Sequence, residues 1–194
     1  MYRGVKRIAD LLFALVAIVI AGPLLLVLAL AIRLDSAGPV FFLQRRAGRD
    51  GTFFRIVKFR TMRTDTPADM PTHLLKGADS HITRVGRFLR KSSLDELPQL
   101  INILAGHMSL VGPRPALWNQ EDLIALRQAN GSSGIRPGLT GWAQVNGRDE
   151  LPIEVKADLD GYYAAHCGPA LDLKILWLTA RQVIRGSGVG EGQK

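Results

Sequence analysis

Leu11-Leu12-Phe13-Ala14-Leu15-Val16-Ala17-Ile18-Val19-Ile20-Ala21-Gly22-Pro23-Leu24-Leu25-Leu26-Val27-Leu28-Ala29-Leu30-Ala31-Ile32 is an apolar run broken only by Gly22-Pro23. It is long enough to span a bilayer as one helix, which needs about 20 residues. A secretory signal has a shorter apolar stretch and a small-residue cleavage site, and neither is present here. The default reading is a single-pass anchor. Two details oppose it. Both flanks are basic: Arg3, Lys6 and Arg7 before, and Arg33, Arg45, Arg46 and Arg49 after. Positive charge marks the cytoplasmic side, so both ends fit the same side. Gly22-Pro23 also falls near the middle, and proline removes a backbone donor and kinks a helix. Two arms of about 12 residues would each reach roughly 18 Å, about half a bilayer. A re-entrant hairpin and a kinked spanning helix both satisfy the sequence.

Outward from that run, 194 residues allow one domain plus this appendage. The net charge is +8 and the pI near 10.1. Such a balance calls for an anionic partner: nucleic acid, lipid headgroups or a phosphorylated small molecule. The basic residues are scattered, with neither a recognition-helix pattern nor a stacking motif, which argues against nucleic acid. Cys167 is the one cysteine, so a disulfide framework and a cysteine-based zinc site are excluded, and it reads as a packed thiol. His73, His81 and His166 form no metal-ligand spacing.

Past the turn Asp35-Ser36-Ala37-Gly38-Pro39, Val40–Gln44 and Phe53–Arg60 read as two arms of a hairpin around Arg45–Gly51. Thr64–Asp79 reads as a loop. Thr83–Leu89, Leu94–Leu104, Trp118–Ala129, Pro152–Ala165 and Leu171–Ile184 read as helices, the last with an apolar face and Lys174, Arg181 and Arg185. Ile135–Gly141 is a proline-glycine turn, Trp142–Arg148 a short extended segment, and Gly186–Lys194 a flexible tail.

Ser92-Ser93-Leu94-Asp95-Glu96-Leu97-Pro98-Gln99-Leu100 carries the chemistry. Two adjacent carboxylates lie among Arg84, Arg87, Arg90 and Arg114. Carboxylates hold a cation and guanidinium groups hold phosphates, so the pattern fits a metal ion with a phosphorylated substrate. A competing reading is a helix start: Ser93-x-x-Glu96 matches a capping box, in which Glu96 serves a backbone donor.

Four segments carry a family resemblance. They are Lys58–Met62 (KFRTM), Leu94–Leu100 (LDELPQL), Met108–Pro115 (MSLVGPRP) and Arg136–Arg148 (RPGLTGWAQVNGR). In this order they are similar to the bacterial sugar transferase family, the monotopic phosphoglycosyl transferases that start glycoconjugate assembly. The resemblance runs from about Tyr2 to the C-terminus and is to the small, single-domain members. It implies an α+β, mostly helical catalytic domain (residues 35–194) behind a re-entrant membrane helix-break-helix (residues 1–34), with interfacial amphipathic helices. It places the chain on the cytoplasmic face of a bacterial inner membrane.

The reaction implied moves a phosphosugar from a UDP-sugar to undecaprenyl or another polyprenyl phosphate and releases UMP. It proceeds ping-pong through a phosphosugar on Asp95, with Glu96 beside it and Mg²⁺ held by both. Carboxylates are plausible phosphoryl acceptors because an acyl phosphate forms and breaks readily. Arg114, between Pro113 and Pro115, resembles the family arginine on donor phosphate, and Arg90 a second functional arginine. Lys58, Arg60, Gln144, Asn146 and Arg148 are further substrate-binding candidates. For Lys58 and Arg60 a solvated strand face, and for the other three turn capping, fits as well. Gly22 and Pro23 occupy the hairpin break, where many members have Ser-Pro. His107 stands where members commonly carry Asp. The tail Gly188–Gln193 resembles enzymes for di-N-acetylbacillosamine-type sugars, which makes an N-acetylated amino sugar the expected donor. Downstream glycosyltransferases are expected partners. An inactive membrane scaffold is the alternative, and it leaves Asp95-Glu96 unexplained.

Overall fold

The computed structural model describes residues 2–67, 77–147 and 151–185. Most of the expected Thr64–Asp79 loop with His73, Arg148, and the tail 186–194 lie outside the described residues. In chain order the elements are α1 (Tyr2–Asp35), β1 (Phe41–Ala47), β2 (Phe53–Phe59), α2 (Ala78–His81), α3 (Arg84–Ser92) and α4 (Gln99–Leu104). There follow β3 (Ser109–Val111), α5 (Glu121–Ala129), β4 (Gly138–Thr140), α6 (Trp142–Val145), α7 (Ile153–His166) and α8 (Pro169–Arg185). The fold is mixed and mostly helical, as the sequence implies.

α1 runs from Tyr2 to Asp35 with Pro23 inside it. The expected interruption at Gly22-Pro23 is thus not a loss of helix. Proline deletes one donor, while the apolar arms on either side continue the helical pattern. The two ends of α1 meet the same domain. Near its start the Tyr2 hydroxyl donates to Asp172 (2.7 Å), Arg7 donates to the Ile103 carbonyl (2.8 Å), and Asp10 accepts from the Ser109 hydroxyl (2.6 Å). Near its end Leu28 and Ile32 pack with Phe59 and Leu89, and Asp35 accepts from the Val85 amide (3.0 Å). Between these anchors Val19, Ile20, Leu26 and Val27 are exposed.

β1 and β2 form the expected antiparallel hairpin, pairing Phe41 with Phe59 through to Ala47 with Phe53. Its turn bends through left-handed Asp50 and Gly51 (φ 54° and 75°). Period-two alternation buries Gln44, Phe54 and Ile56 on the inner face. α4 packs there, with Leu100 and Ile103 joining Phe54, Ile56, Met108, Tyr163 and Ile175 in the main core, and Ala14 of α1 completing it.

Several elements differ from the sequence reading. β1 continues through Arg45–Ala47, where a turn is expected, and the helix expected over Leu94–Leu104 is a 3₁₀ turn at Leu94–Glu96 followed by α4. The Ile135–Gly141 turn contains β4, which pairs in parallel with β3 (Ser109 with Gly138, Val111 with Thr140). Trp142–Val145 is a helical turn rather than an extended segment. Trp and Val favour strands locally, but the Val145 amide bonds back to the Gly141 carbonyl (3.1 Å) and closes the turn. α8 leaves Leu173, Trp177 and Ile184 exposed, with Lys174 over the Trp142 ring and Arg181 over that of Trp177.

Candidate active site

The dyad sits on a sharp reversal. Thr83 caps α3 by accepting from the Gly86 amide (2.9 Å), and α3 ends at Ser93 in the left-handed region (φ 57°, ψ 16°). A non-glycine residue there is uncommon and is found where the surroundings impose it. Ser93 redirects the chain into a short 3₁₀ turn, Leu94–Glu96. The capping-box reading fails: the Ser93 side chain caps nothing at this turn. The Glu96 carboxylate instead reaches across to Lys58 on β2 and to Arg114 after β3.

Lys58 Nζ lies 2.7 Å and Arg114 Nη2 3.1 Å from the same oxygen, Glu96 Oε1. The Glu96 side chain is 20% exposed. Burial opposes its charge, but Lys58 and Arg114 outweigh burial and hold its carboxyl well below the usual range. Asp95 behaves in the opposite way. Burial pushes its carboxyl up, and the neighbouring Glu96 charge pushes it further. Lys58, Arg90 and Arg114 offset this only in part. Among the described residues, no side chain hydrogen-bonds the Asp95 carboxylate. The site therefore holds one carboxylate locked in its charged form by cations and another left open beside it.

Residues that sequence reading passed over position these groups. Asn102, buried in α4, accepts from the Val57 amide (2.9 Å) and donates to the Arg55 carbonyl (2.8 Å). Its amide imitates a third strand against β2, one residue before Lys58. The helix that carries Asn102 begins three residues after Glu96, so this clasp fixes Lys58 and Glu96 relative to each other. Thr61 accepts from Arg90 Nε (2.9 Å) and orients that guanidinium. Arg127 donates to the Arg114 carbonyl (2.9 Å) and forms a buried pair with Asp160 (2.6 Å). Arg127 and Asp160 each stand on a helix among apolar neighbours, which is the signal that would have identified them. Asn102 offers no comparable signal, because one amide in an apolar helix does not declare what it clasps.

Backbone contact sets the place of Arg114. A Cβ on Gly138 would lie 2.1 Å from the Gly112 nitrogen, and one on Gly141 2.1 Å from the Gly112 oxygen. Only glycine permits this approach of β3 to β4, from which Pro113-Arg114-Pro115 emerges.

The structure does not bring every candidate into this cluster. Arg60 is buried and donates to the Ala37 (2.6 Å) and Ser36 (2.8 Å) carbonyls, tying down the turn after α1. Burial and the nearby Arg33 lower its pKa. Gln144 donates to the Leu139 carbonyl (3.1 Å) and Asn146 to that of Trp142 (2.7 Å), so turn capping describes both. Gly22 and Pro23 lie in α1 and supply no side-chain group to the cluster. His107 is exposed and stacks on Phe54 at a centroid distance of 5.6 Å.

The chain is similar in sequence to proteins of one family. The model of the bacterial sugar transferase family matches residues 1–186. An uncharacterized sugar transferase, EpsL, of Bacillus subtilis (strain 168) is 42% identical over 95% of this chain and 89% of its own length. The UDP-glucose:undecaprenyl-phosphate glucose-1-phosphate transferase of Xanthomonas campestris pv. campestris is 41% identical over 92% of this chain. The UDP-N-acetylgalactosamine-undecaprenyl-phosphate N-acetylgalactosaminephosphotransferase of Aeromonas hydrophila is 38% identical over 96% of it. The chain spans 38% and 45% of the lengths of these last two. A match from the first residue of α1 to the last described residue of α8 makes this chain a member of the bacterial sugar transferase family.

Proposed function

We propose that this protein is a phosphoglycosyl transferase that moves a phosphosugar from a UDP-sugar to undecaprenyl phosphate and releases UMP. The observation that carries this reading is the contrast inside the dyad: Glu96 is fixed by Lys58 and Arg114, whereas Asp95 has no such partner. A carboxylate kept open and partly desolvated beside three cations is suited to nucleophilic attack on phosphorus.

In the proposed reaction an Asp95 oxygen attacks the sugar-linked phosphorus of the donor. The bond from that phosphorus to the bridging oxygen breaks, and UMP departs with the electron pair. The product is a sugar phosphoryl-aspartate. A phosphate oxygen of the lipid acceptor then attacks the same phosphorus, Asp95 leaves as carboxylate, and a polyprenyl diphosphate sugar forms. Arg114 and Arg90 stabilise charge on the donor phosphates, and Lys58 keeps Glu96 ionised and oriented.

The expected Mg²⁺ fits these residues. Glu96 Oε1 is engaged, which leaves its second oxygen and Asp95 as ligands. Among the described residues no cluster of three or more His, Cys, Asp or Glu side chains exists. Magnesium is commonly held by one or two carboxylates together with waters and substrate phosphates. When bound it would neutralise charge on the donor diphosphate.

The donor is proposed as UDP-glucose or a UDP-N-acetylhexosamine, since the relatives' names state glucose and N-acetylgalactosamine and give no support to bacillosamine. The protein is further proposed to sit on one membrane face. Both ends of α1 are tied to one domain, and its exposed apolar middle calls for lipid. The exposed apolar face of α8, rimmed by Lys174 and Arg181, fits the interface. The test is UMP release by detergent-purified protein with Mg²⁺ and undecaprenyl phosphate across a panel of UDP-sugars. Release that needs the lipid and disappears in Asp95→Asn supports the reading. Release that persists in Asp95→Asn overturns it.

A further inference from the structure

A second collection of cations lies away from the dyad. A cleft of about 90 Å³ opens between the start of α1 and the Gly134–Arg136 segment, lined by Arg3, Lys6, Arg7, Arg49 and Arg136. That volume accommodates several waters, at about 10–15 Å³ for each.

The charges are unbalanced. Lys6 pairs with Asp10 (3.4 Å) and Asp172 (2.8 Å), and Arg49 with Asp50 (2.9 Å). Asp10 is also engaged by the Ser109 hydroxyl and the Leu110 amide. Arg3, Arg7 and Arg136 have no carboxylate partner among the described residues. Arg7 spends its nitrogens on the neutral carbonyls of Ile103, Leu104 and Met108. Arg136 uses Nε on the Gly106 carbonyl (3.0 Å), and its two terminal nitrogens bond nothing among the described residues. Burial and the charges of Arg49 and Arg7 lower the pKa of Arg136, and Asp10 offsets this only in part. Tyr2, Ser109 and Asp10 complete the wall, with the two hydroxyls already donated to Asp172 and Asp10.

The cleft is not the dyad under another description. Arg7 and Arg136 grip carbonyls at and beyond the C-terminal end of α4, whereas Asp95-Glu96 precede its N-terminal residue. The six residues of α4, Gln99–Leu104, alone separate the two places by about 9 Å. The cleft lies instead at the foot of α1, a few residues before the apolar run begins at Leu11. With α1 in lipid, its mouth is at headgroup level. We propose that this cleft binds the phosphate of an anionic phospholipid headgroup, at a site separate from the one where transfer occurs.

The test uses the full chain carrying Asp95→Asn in neutral detergent, so the result does not depend on whether transfer takes place. Native mass spectrometry reads retention of short-chain phosphatidylglycerol against short-chain phosphatidylcholine. Preferential retention of phosphatidylglycerol is expected. Losing one charge-assisted contact should lower that retention about tenfold in Arg3→Gln and in Arg136→Gln, with phosphatidylcholine unchanged. Arg136→Gln also removes the bond to Gly106, so Arg3→Gln, whose side chain bonds nothing among the described residues, is the deciding variant. A separate arm adds sodium phosphate alone and reads thermal protection. Protection lost in Arg3→Gln, without any preference between the lipids, would assign the cleft to free phosphate and overturn the lipid assignment. Equal retention of both lipids with no phosphate effect, or retention unaltered in both variants, would overturn the site altogether.

Discussion

Lys58 Nζ lies 2.7 Å from Glu96 Oε1, joining the inner hairpin strand to the turn that carries the dyad. Arg114 holds the same oxygen from the other side at 3.1 Å. This pairing divides labour between two adjacent carboxylates: the cations satisfy Glu96, and Asp95 bears the effect of burial and of a fixed negative neighbour.

The first prediction concerns pH. In the proposed reaction Asp95 acts as a carboxylate, and its pKa is raised, so activity should climb with pH through a limb above the ordinary aspartate value of about 3.9. Glu96→Gln removes the like charge and frees Lys58 to face Asp95, so the limb should move to lower pH. Lys58→Met removes a cation that favours both carboxylates, so the limb should move to higher pH. Rates at neutral pH should fall about 10- to 100-fold in Lys58→Met, the loss of one hydrogen bond to a charged group. UMP release at saturating Mg²⁺ from pH 4 upward, as on the order of one-unit steps, reads both limbs. Shifts of the same sign in the two variants would contradict the division of labour.

The second concerns the Asn102 clasp. Asn102→Ala leaves the Val57 amide and the Arg55 carbonyl without their partner, at about 1–3 kcal/mol for each group. Asn102→Asp keeps the acceptor for Val57 but sets an oxygen against the Arg55 carbonyl. Both variants should lower the thermal midpoint, and Asp should not rescue activity. Wild-type activity in a folded Asn102→Ala protein would show that β2 needs no clasp to present Lys58.

How much of this was legible in the sequence depends on how locally each feature is specified. The β1–β2 hairpin was readable from two apolar arms around a basic, glycine-containing turn, although that turn was read from Arg45 and β1 runs on to Ala47, and the dyad was readable from two acids among arginines. The β3–β4 pair was not, because three-residue strands from Ser109 and Gly138 have no periodicity of their own and exist through contact between Gly112, Gly138 and Gly141. Arg60 illustrates the limit at the site. It alternates with Lys58 along one motif, yet Lys58 reaches Glu96 while Arg60, one residue past the strand, turns back to Ser36 and Ala37. The family resemblance of the motif placed both residues near the chemistry, and only tertiary packing separated them.

A third prediction follows from the Arg127–Asp160 pair beneath Arg114. Removing either partner leaves a buried charge uncompensated, so Arg127→Met or Asp160→Leu alone should destabilise by about 3–5 kcal/mol. The double variant should recover most of that loss, because two apolar groups of similar volume fill the space. Its activity should nevertheless stay low, since Arg127 also holds the Arg114 carbonyl at 2.9 Å. Thermal midpoints and UMP release on the same four proteins separate the two effects. Full recovery of both would reduce Arg127 to a packing role.

The close approach of β3 and β4 gives a fourth. Gly138→Ala would put a methyl 2.1 Å from the Gly112 nitrogen, inside any tolerated contact. The strands must part, which breaks the Ser109–Gly138 register and moves Pro113-Arg114. A folded protein is expected to show weaker donor binding as well as a lower thermal midpoint, because Arg114 moves with the strand. Gly138 has no positive φ, so contact alone acts there; Gly131→Ala, at a positive φ of 77° with open space at Cβ, is the comparison in which backbone strain acts alone. Equal effects in the two would mean that contact with Gly112 does not matter.

The last prediction addresses α1. One helix is tied to one domain at both ends, through Asp10 on Ser109 and Asp35 on the Val85 amide. A straight helix of 34 residues would be about 51 Å long, more than the roughly 30 Å of a bilayer core. A spanning α1 would put one of those anchors on the far side of the membrane from its partner. Single cysteines at Gly4 and Ala37, in a chain with Cys167 replaced by serine, mark the two ends at exposed positions. Neither should react with a membrane-impermeant maleimide in intact cells, and both should react after lysis. Labelling of the Gly4→Cys protein in intact cells would place the start of α1 outside and break the Asp10–Ser109 contact as a feature of the membrane-bound state. Pro23→Ala tests the cause of the geometry. Straightening the helix opposes simultaneous anchoring at both ends, so the Gly4 cysteine should then become accessible in intact cells, or the Leu28–Leu89 packing should loosen and the thermal midpoint fall. A Pro23→Ala protein with unchanged labelling and unchanged stability would mean that the anchors at Asp10 and Asp35, and not the proline, set the path of α1.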